Sequence, residues 1–73
     1  MLSGIKLKML REKAGLTGTE LGEAVGVSQS MIAHYEAERK NPSVEIYGRM
    51  ADKLGVTMDS LRKKRSVEGG HYA

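Results

Sequence analysis

Gln29 and Ser30 stand at the start of a short helical stretch, directly behind a Ser28 cap. A glutamine carboxamide can pair bidentately with an adenine edge, and a serine hydroxyl can donate to or accept from several bases. Both residues lie in the run LTGTELGEAVGVSQSMIAHYEAERKNP, Leu16 to Pro42, which reads as two short helices hinged at Gly26. Small polar side chains at the opening of the second helix make sequence recognition of duplex DNA the leading expectation.

Other chemistry finds little support. The chain has no cysteine, so neither a disulfide framework nor a thiolate zinc site is expected, and His34 and His71 are isolated, without metal-ligand spacing. No paired carboxylates, Ser-His-Asp set or phosphate-cradling glycine loop is present, and the scattered Glu12, Glu20 and Glu23 read as solvated helix faces. Neither catalysis nor a cofactor is expected. Twelve Lys and Arg against nine Asp and Glu give a net charge of +3, which mildly favours a polyanionic partner. No apolar run reaches the roughly 20 residues of a membrane span, and the N-terminus lacks a secretory stretch, so a cytoplasmic protein is expected.

The elements that must position Gln29 and Ser30 follow from caps and apolar spacing. Ser3 caps a helix from about Gly4 to Ala14 with Leu7, Leu10 and Ala14 in a stripe, stopped at Gly15. Thr17 and Glu20 have capping-box spacing ahead of Leu21, Ala24 and Val25, and Gly26 closes this second helix after about two turns. Ser28 caps the third, in which Met31, Ile32 and Tyr35 recur at helical spacing up to about Ala37. The polar stretch ERKNPS is a loop, with Pro42 suited to the first turn of a fourth helix from about Val44 to Leu54, stopped by Gly55. Thr57 caps a last short helix reaching roughly Arg62 to Lys64. No period-two apolar run predicts a strand. The fold class is all-α, a single five-helix domain over residues 1–65 with a tail at 66–73. Expected core residues are Leu7, Leu10, Leu16, Leu21, Val25, Ile32, Val44, Tyr47, Met50, Ala51, Leu54 and Leu61.

The patterns GLTxxxLxxxxGVSQSxIxxYE and NPSxxxxxxxAxxLGV resemble the helix-turn-helix family of phage repressors, Cro proteins and bacterial XRE-type regulators, over about Gly4 to Leu61. Several sterically motivated positions agree together: Gly26 for the tight turn, Gly22 for a close approach, and Ile32 and Tyr35 entering the core. The resemblance implies a compact lambda-repressor-like domain in which the helix Gln29 to Ala37 enters the major groove. Base contacts then fall to Gln29, Ser30, Ala33 and His34, on the face opposite Ile32 and Tyr35. Ala33 can meet only a thymine methyl, while His34 is placed to reach a base or phosphate, or to rest in solvent beside Tyr35. Phosphate contacts fall to Thr17, Thr19, Arg39, Lys40 and Asn41. Arg11 and Glu36 occupy the positions of a structural ion pair in the family.

Three positions depart from the family pattern. Gly18 replaces the glutamine that contacts phosphate and braces the reading helix, leaving Thr17 and Thr19 to substitute in part. Glu38 stands where a glycine usually follows that helix. Gly48 replaces a large apolar residue, at about 1 kcal/mol of helix propensity relative to alanine. At 73 residues the chain buries only about 60% of its unfolded surface, so it is expected to be marginally stable as a monomer.

The function expected is a sequence-specific transcriptional regulator, a repressor binding a palindromic operator as a homodimer. Its interface is expected at Val56, Met58 and Leu61. The cations Arg62, Lys63, Lys64 and Arg65 suit either a helix C-terminus or a nonspecific phosphate grip. Alternatives are an antitoxin-type autoregulator that binds a protein partner through the C-terminal tail, and an interaction module on the same fold that has lost DNA binding.

Overall fold

A computed structural model of the chain describes residues 1–63. Four α-helices follow in order: α1 (Gly4–Lys13), α2 (Gly18–Val25), α3 (Gln29–Glu36) and α4 (Val44–Leu54), with a single 3₁₀ turn at Met58–Leu61. The fold is all-α, and the fifth helix expected from sequence is this 3₁₀ turn. Four residues between the Thr57 cap and an extended Arg62 leave no room for a second turn. The expected tail at 66–73, with Lys64 and Arg65, lies outside the described residues.

The cap residues act as their types require. Ser3, Thr17, Ser28, Ser43 and Thr57 each accept, through the side-chain oxygen, a backbone N–H in the first turn they precede. Thr17 and Glu20 form the full reciprocal capping box. Because Ser43 is the cap of α4, Pro42 stands outside that helix rather than in its first turn.

The core comprises Leu2, Leu7, Leu21, Val25, Ile32, Tyr35, Met50, Ala51 and Leu61, with Leu10, Leu16, Tyr47 and Leu54 packed against it and partly buried. Two expectations change. Val44 is 78% exposed, because the first residue of α4 points away from the bundle. Leu2, unmarked by any periodicity, is buried, since the extended segment before α1 pairs with the residues that follow the 3₁₀ turn. An isolated antiparallel bridge joins Leu2 and Arg62. Around it Ser3 N–H donates to Leu61 O, and Lys63 N–H to Met1 O, each at 2.7 Å. This clasp closes the helical bundle at its two ends. No described helix is long and apolar enough to cross a membrane.

Candidate nucleic-acid interface

The unit α2-turn-α3 is held at close quarters by its turn. Gly26 adopts φ +87°, and the amides of Gly26 and Val27 both donate to Gly22 O, at 2.8 and 2.9 Å. A Cβ on Gly22 would lie 2.6 Å from Val27 O and 3.2 Å from Ser28 C. Gly22 is therefore small to admit the backbone of the turn itself, rather than only the crossing of two helices. From α4, Arg49 Nη1 donates to Val25 O at 3.3 Å and so meets the C-terminal end of α2. The 24-residue separation gave no sign of this contact in the sequence.

With Ile32 and Tyr35 buried, α3 can rotate little about its axis. The opposite face presents Gln29, Ser30 and Ala33, all exposed, and His34 half-buried. The four residues expected to read bases thus divide, three standing free and one leaning on the domain. Thr17 and Thr19 at the start of α2 and Arg39, Lys40 and Asn41 beyond α3 are also exposed. Thr17 is already engaged with Glu20, since its hydroxyl accepts from the Glu20 amide at 3.0 Å. Arg39 and Lys40 take part in no ion pair among the described residues, which leaves their charge free for an anionic partner.

The Gly18 departure has a geometric reading. A Cβ there would sit 3.4 Å from Gln29 Cγ and 3.8 Å from Ile32 Cγ2. The position faces the start of α3, as a bracing side chain must, but glycine gives it nothing with which to hold Gln29.

Two contacts fix the far end of α3. Arg11 Nε donates to Glu36 Oε2 at 2.6 Å and Nη2 to Oε1 at 3.3 Å, while Nη1 donates to Leu16 O at 2.9 Å. Both partners are largely buried, at 13% and 14% side-chain exposure. The hydrogen bond to Glu36 is the main reason that the Arg11 guanidinium is held above its ordinary pKa. Beyond Glu36 the helix closes with Glu38 N–H donating to Tyr35 O and Arg39 N–H to His34 O. This is a Schellman motif, with Glu38 in the left-handed position at φ +60°.

The expected docking surface at Val56, Met58 and Leu61 is not one surface. Leu61 is fully buried in the core. Met58 lines an open groove of about 440 Å³ with Met1, Leu2, Val44 and Tyr47, whereas Val56 lines a different one against α1. Among the described residues no cluster of three His, Cys, Asp or Glu could hold a metal ion.

Comparison with known proteins is consistent with this geometry. The helix-turn-helix family model matches residues 7–61. The immunity repressor protein of Bacillus phage phi105 is 31% identical over 61 residues, covering 84% of this chain and 42% of that protein. The P22 c2 repressor, solved in complex with a synthetic operator, superposes with a TM-score of 0.79 at 26% identity, covering 88% of this chain and 98% of that one. SinR, solved in complex with DNA, gives a TM-score of 0.72 at 28% identity, covering 78% of this chain and 95% of that one. The chain spans about half or less of the length of the curated relatives it matches.

Proposed function

The chain belongs to the helix-turn-helix family, and on that premise we propose that it is a sequence-specific DNA-binding transcriptional regulator of the repressor type, acting in the cytoplasm without catalysing a reaction. The observation that carries this reading is the outer face of α3. Gln29, Ser30 and Ala33 are exposed together on a helix that Ile32, Tyr35 and the Arg11–Glu36 pair hold in one orientation. Docked in the major groove, Gln29 and Ser30 supply hydrogen bonds to base edges and Ala33 a surface for a thymine methyl. His34 adds a contact at the groove wall. Thr17, Thr19 and the N-terminus of α2 meet one stretch of phosphates, and Arg39, Lys40 and Asn41 another.

The protein binds as a homodimer to a palindromic site, with reading helices about 34 Å apart on half-sites one turn apart. The surface best suited to the second copy is the groove with Met1, Val44 and Met58, which are 73%, 78% and 38% exposed. Apolar side chains left this open on one face gain from mutual burial. Repression follows from occupancy of a promoter, and the phi105 and P22 relatives are themselves described as repressors.

Gly18, which leaves Gln29 without a brace, favours a second reading as an interaction module that no longer binds DNA. Selection from a random duplex library at about 0.15 M salt, with wild type, Gln29→Ala and Ser30→Ala, separates the two. Enrichment of a palindrome whose half-site preference changes in the variants supports base readout by α3. No enrichment by folded protein supports the interaction module.

A further inference from the structure

On α1, Lys6, Met9, Leu10 and Lys13 recur at spacings of three, four and seven residues and so share one face of the helix. Together with Val56 and Ser60 they line an open groove of about 300 Å³. Its floor is apolar, a lysine stands at each end, and no carboxylate is among the lining residues. Met9 is 61% exposed, and Ile5, one turn before it, is 71% exposed and extends the apolar surface. The core accounts for Leu10 and Val56, which pack against it, but not for Ile5 and Met9, since α1 buries only Gly4 and Leu7.

We propose that this groove binds a short acidic amphipathic helix of a partner protein. The geometry sets its pattern. Lys6 and Lys13 are about 10.5 Å apart along the helix axis, at 1.5 Å per residue. That separation matches two carboxylates seven residues apart on a helix laid alongside, with leucine-sized side chains between them to cover Met9, Leu10 and Val56. The lysine stems add apolar cover; Lys13 Nζ reaches one carboxylate of the partner, and Lys6 Nζ, which donates one N–H to Arg62 O at 3.1 Å, keeps its other donors for the second. Such helix-in-groove docking takes its affinity from the apolar anchors and its polarity from the rim charges.

The groove lies away from the face used for DNA. Gly4 and Arg11, which contact Glu38 just beyond α3 and Glu36 at its last position, mark the side of α1 turned toward α3. At roughly 100° per residue the groove stripe is centred about 160° around the helix from them. A partner seated there leaves Gln29 and Ser30 open, so one domain can hold DNA and protein together. The proposal needs only the folded domain, and it stands or falls whether or not DNA binds.

The test is fluorescence anisotropy with the full chain and a labelled helical peptide that carries two leucines between glutamates seven residues apart. A control peptide has lysines in place of those glutamates. The glutamate peptide is expected to bind at least about tenfold more tightly than the control, and Met9→Ser to weaken it about tenfold, as loss of a buried methionine contact implies. Lys13→Glu, which leaves one cation and one anion at the two ends of the groove, should abolish the preference between the peptides. Met9 and Lys13 are both exposed, so melting of these variants should match wild type, and amide shifts should map the peptide to α1 and residues 56–60. Equal binding of the two peptides by the wild-type chain, shifts confined to α3, or indifference to Met9→Ser would overturn the proposal. So would displacement of the peptide by nonspecific duplex, which would make the groove a polyanion surface instead.

Discussion

The backbone amide of Gly4 donates to the Glu38 carboxylate at 2.9 Å, which ties the first turn of α1 to the residue that closes α3. Glu38 is the one non-glycine residue with positive φ among the described residues, and the left-handed region costs an L side chain about 1–2 kcal/mol. Its side chain offsets that cost. Besides capping Gly4, it accepts from Lys63 Nζ at 2.8 Å, so one residue joins α1, α3 and the segment after the 3₁₀ turn.

Substitution can separate backbone strain from these side-chain links. Glu38→Ala loses both hydrogen bonds and keeps the strain, whereas Glu38→Gly loses the same bonds and relieves it. The alanine variant is therefore expected to be about 1 kcal/mol less stable than the glycine variant. Urea midpoints measure the difference, and equal midpoints would refute the strain argument.

The same carboxylate gives a pH dependence of known sign. The Lys63 hydrogen bond, then that of Gly4, hold Glu38 below the ordinary carboxylate pKa. A depressed folded value means that the stabilisation is complete above the unfolded pKa of about 4.3 and is lost as pH falls through the folded value. The melting difference between wild type and Glu38→Gln should stay constant from neutral pH to about pH 5 and shrink only below about pH 4. Shrinkage at higher pH would assign the effect to another group.

Arg11→Ala should act on the fold rather than on DNA chemistry. Removing one partner of a largely buried pair leaves Glu36 charged without its fork of donors and frees Leu16 O, a loss of about 3 kcal/mol. For a domain of this size that lowers the melting temperature by more than about 10 °C. Arg11→Lys should fall between wild type and Arg11→Ala, since an ammonium keeps the charge but not the bidentate geometry. A wild-type melt for Arg11→Ala would remove the structural role.

Much of this architecture was legible because it rests on local rules. Ser3, Thr17, Ser28, Thr57 and the glycines at 15, 26 and 55 announce helix ends through chemistry that involves only near neighbours. What escaped the sequence depends on distant partners. Leu2 is buried where the segment at Arg62 and Lys63 returns to pair with it, and Arg49 reaches Val25 across 24 residues. Leu61 and Met58 look alike by spacing, yet one turn of 3₁₀ geometry buries the first and leaves the second in the groove beside Val44. That Gln29, Ser30, Ala33 and His34 share one face of α3 was legible, but the partial burial of His34 was not.

Gln29 and Lys40 should differ in how they affect DNA binding. In the proposed docking Gln29 contacts one base pair, so Gln29→Ala should relax preference at that position by about 1–3 kcal/mol and leave the salt dependence nearly unchanged. In the same docking Lys40 meets a phosphate, so Lys40→Ala should weaken every duplex alike and reduce the slope of log K against log salt by about one. Titrations of a selected and a scrambled duplex at several salt concentrations measure both. A salt slope unchanged by Lys40→Ala would contradict its phosphate contact.

One substitution made at two glycines should have opposite effects. In α4, Gly48 sits inside a helix, and the nearest atom to an added Cβ is Met58 Sδ at 4.0 Å. Gly48→Ala therefore adds helix propensity without a clash, a gain of about 1 kcal/mol. Gly22 is also helical, but there the methyl meets Val27 O at 2.6 Å and the Ser28 carbonyl just beyond, backbone atoms that no rotamer change can move. Gly22→Ala must push the turn outward at a cost of about 1–3 kcal/mol despite the same gain in propensity. Because the turn sets α3 against α2, Gly22→Ala should also weaken DNA binding in proportion to the tilt it imposes, while Gly48→Ala leaves affinity unchanged. Thermal melts and duplex titrations on both variants measure these effects, and a stabilised Gly22→Ala protein would show that the turn is not the tight junction its geometry implies.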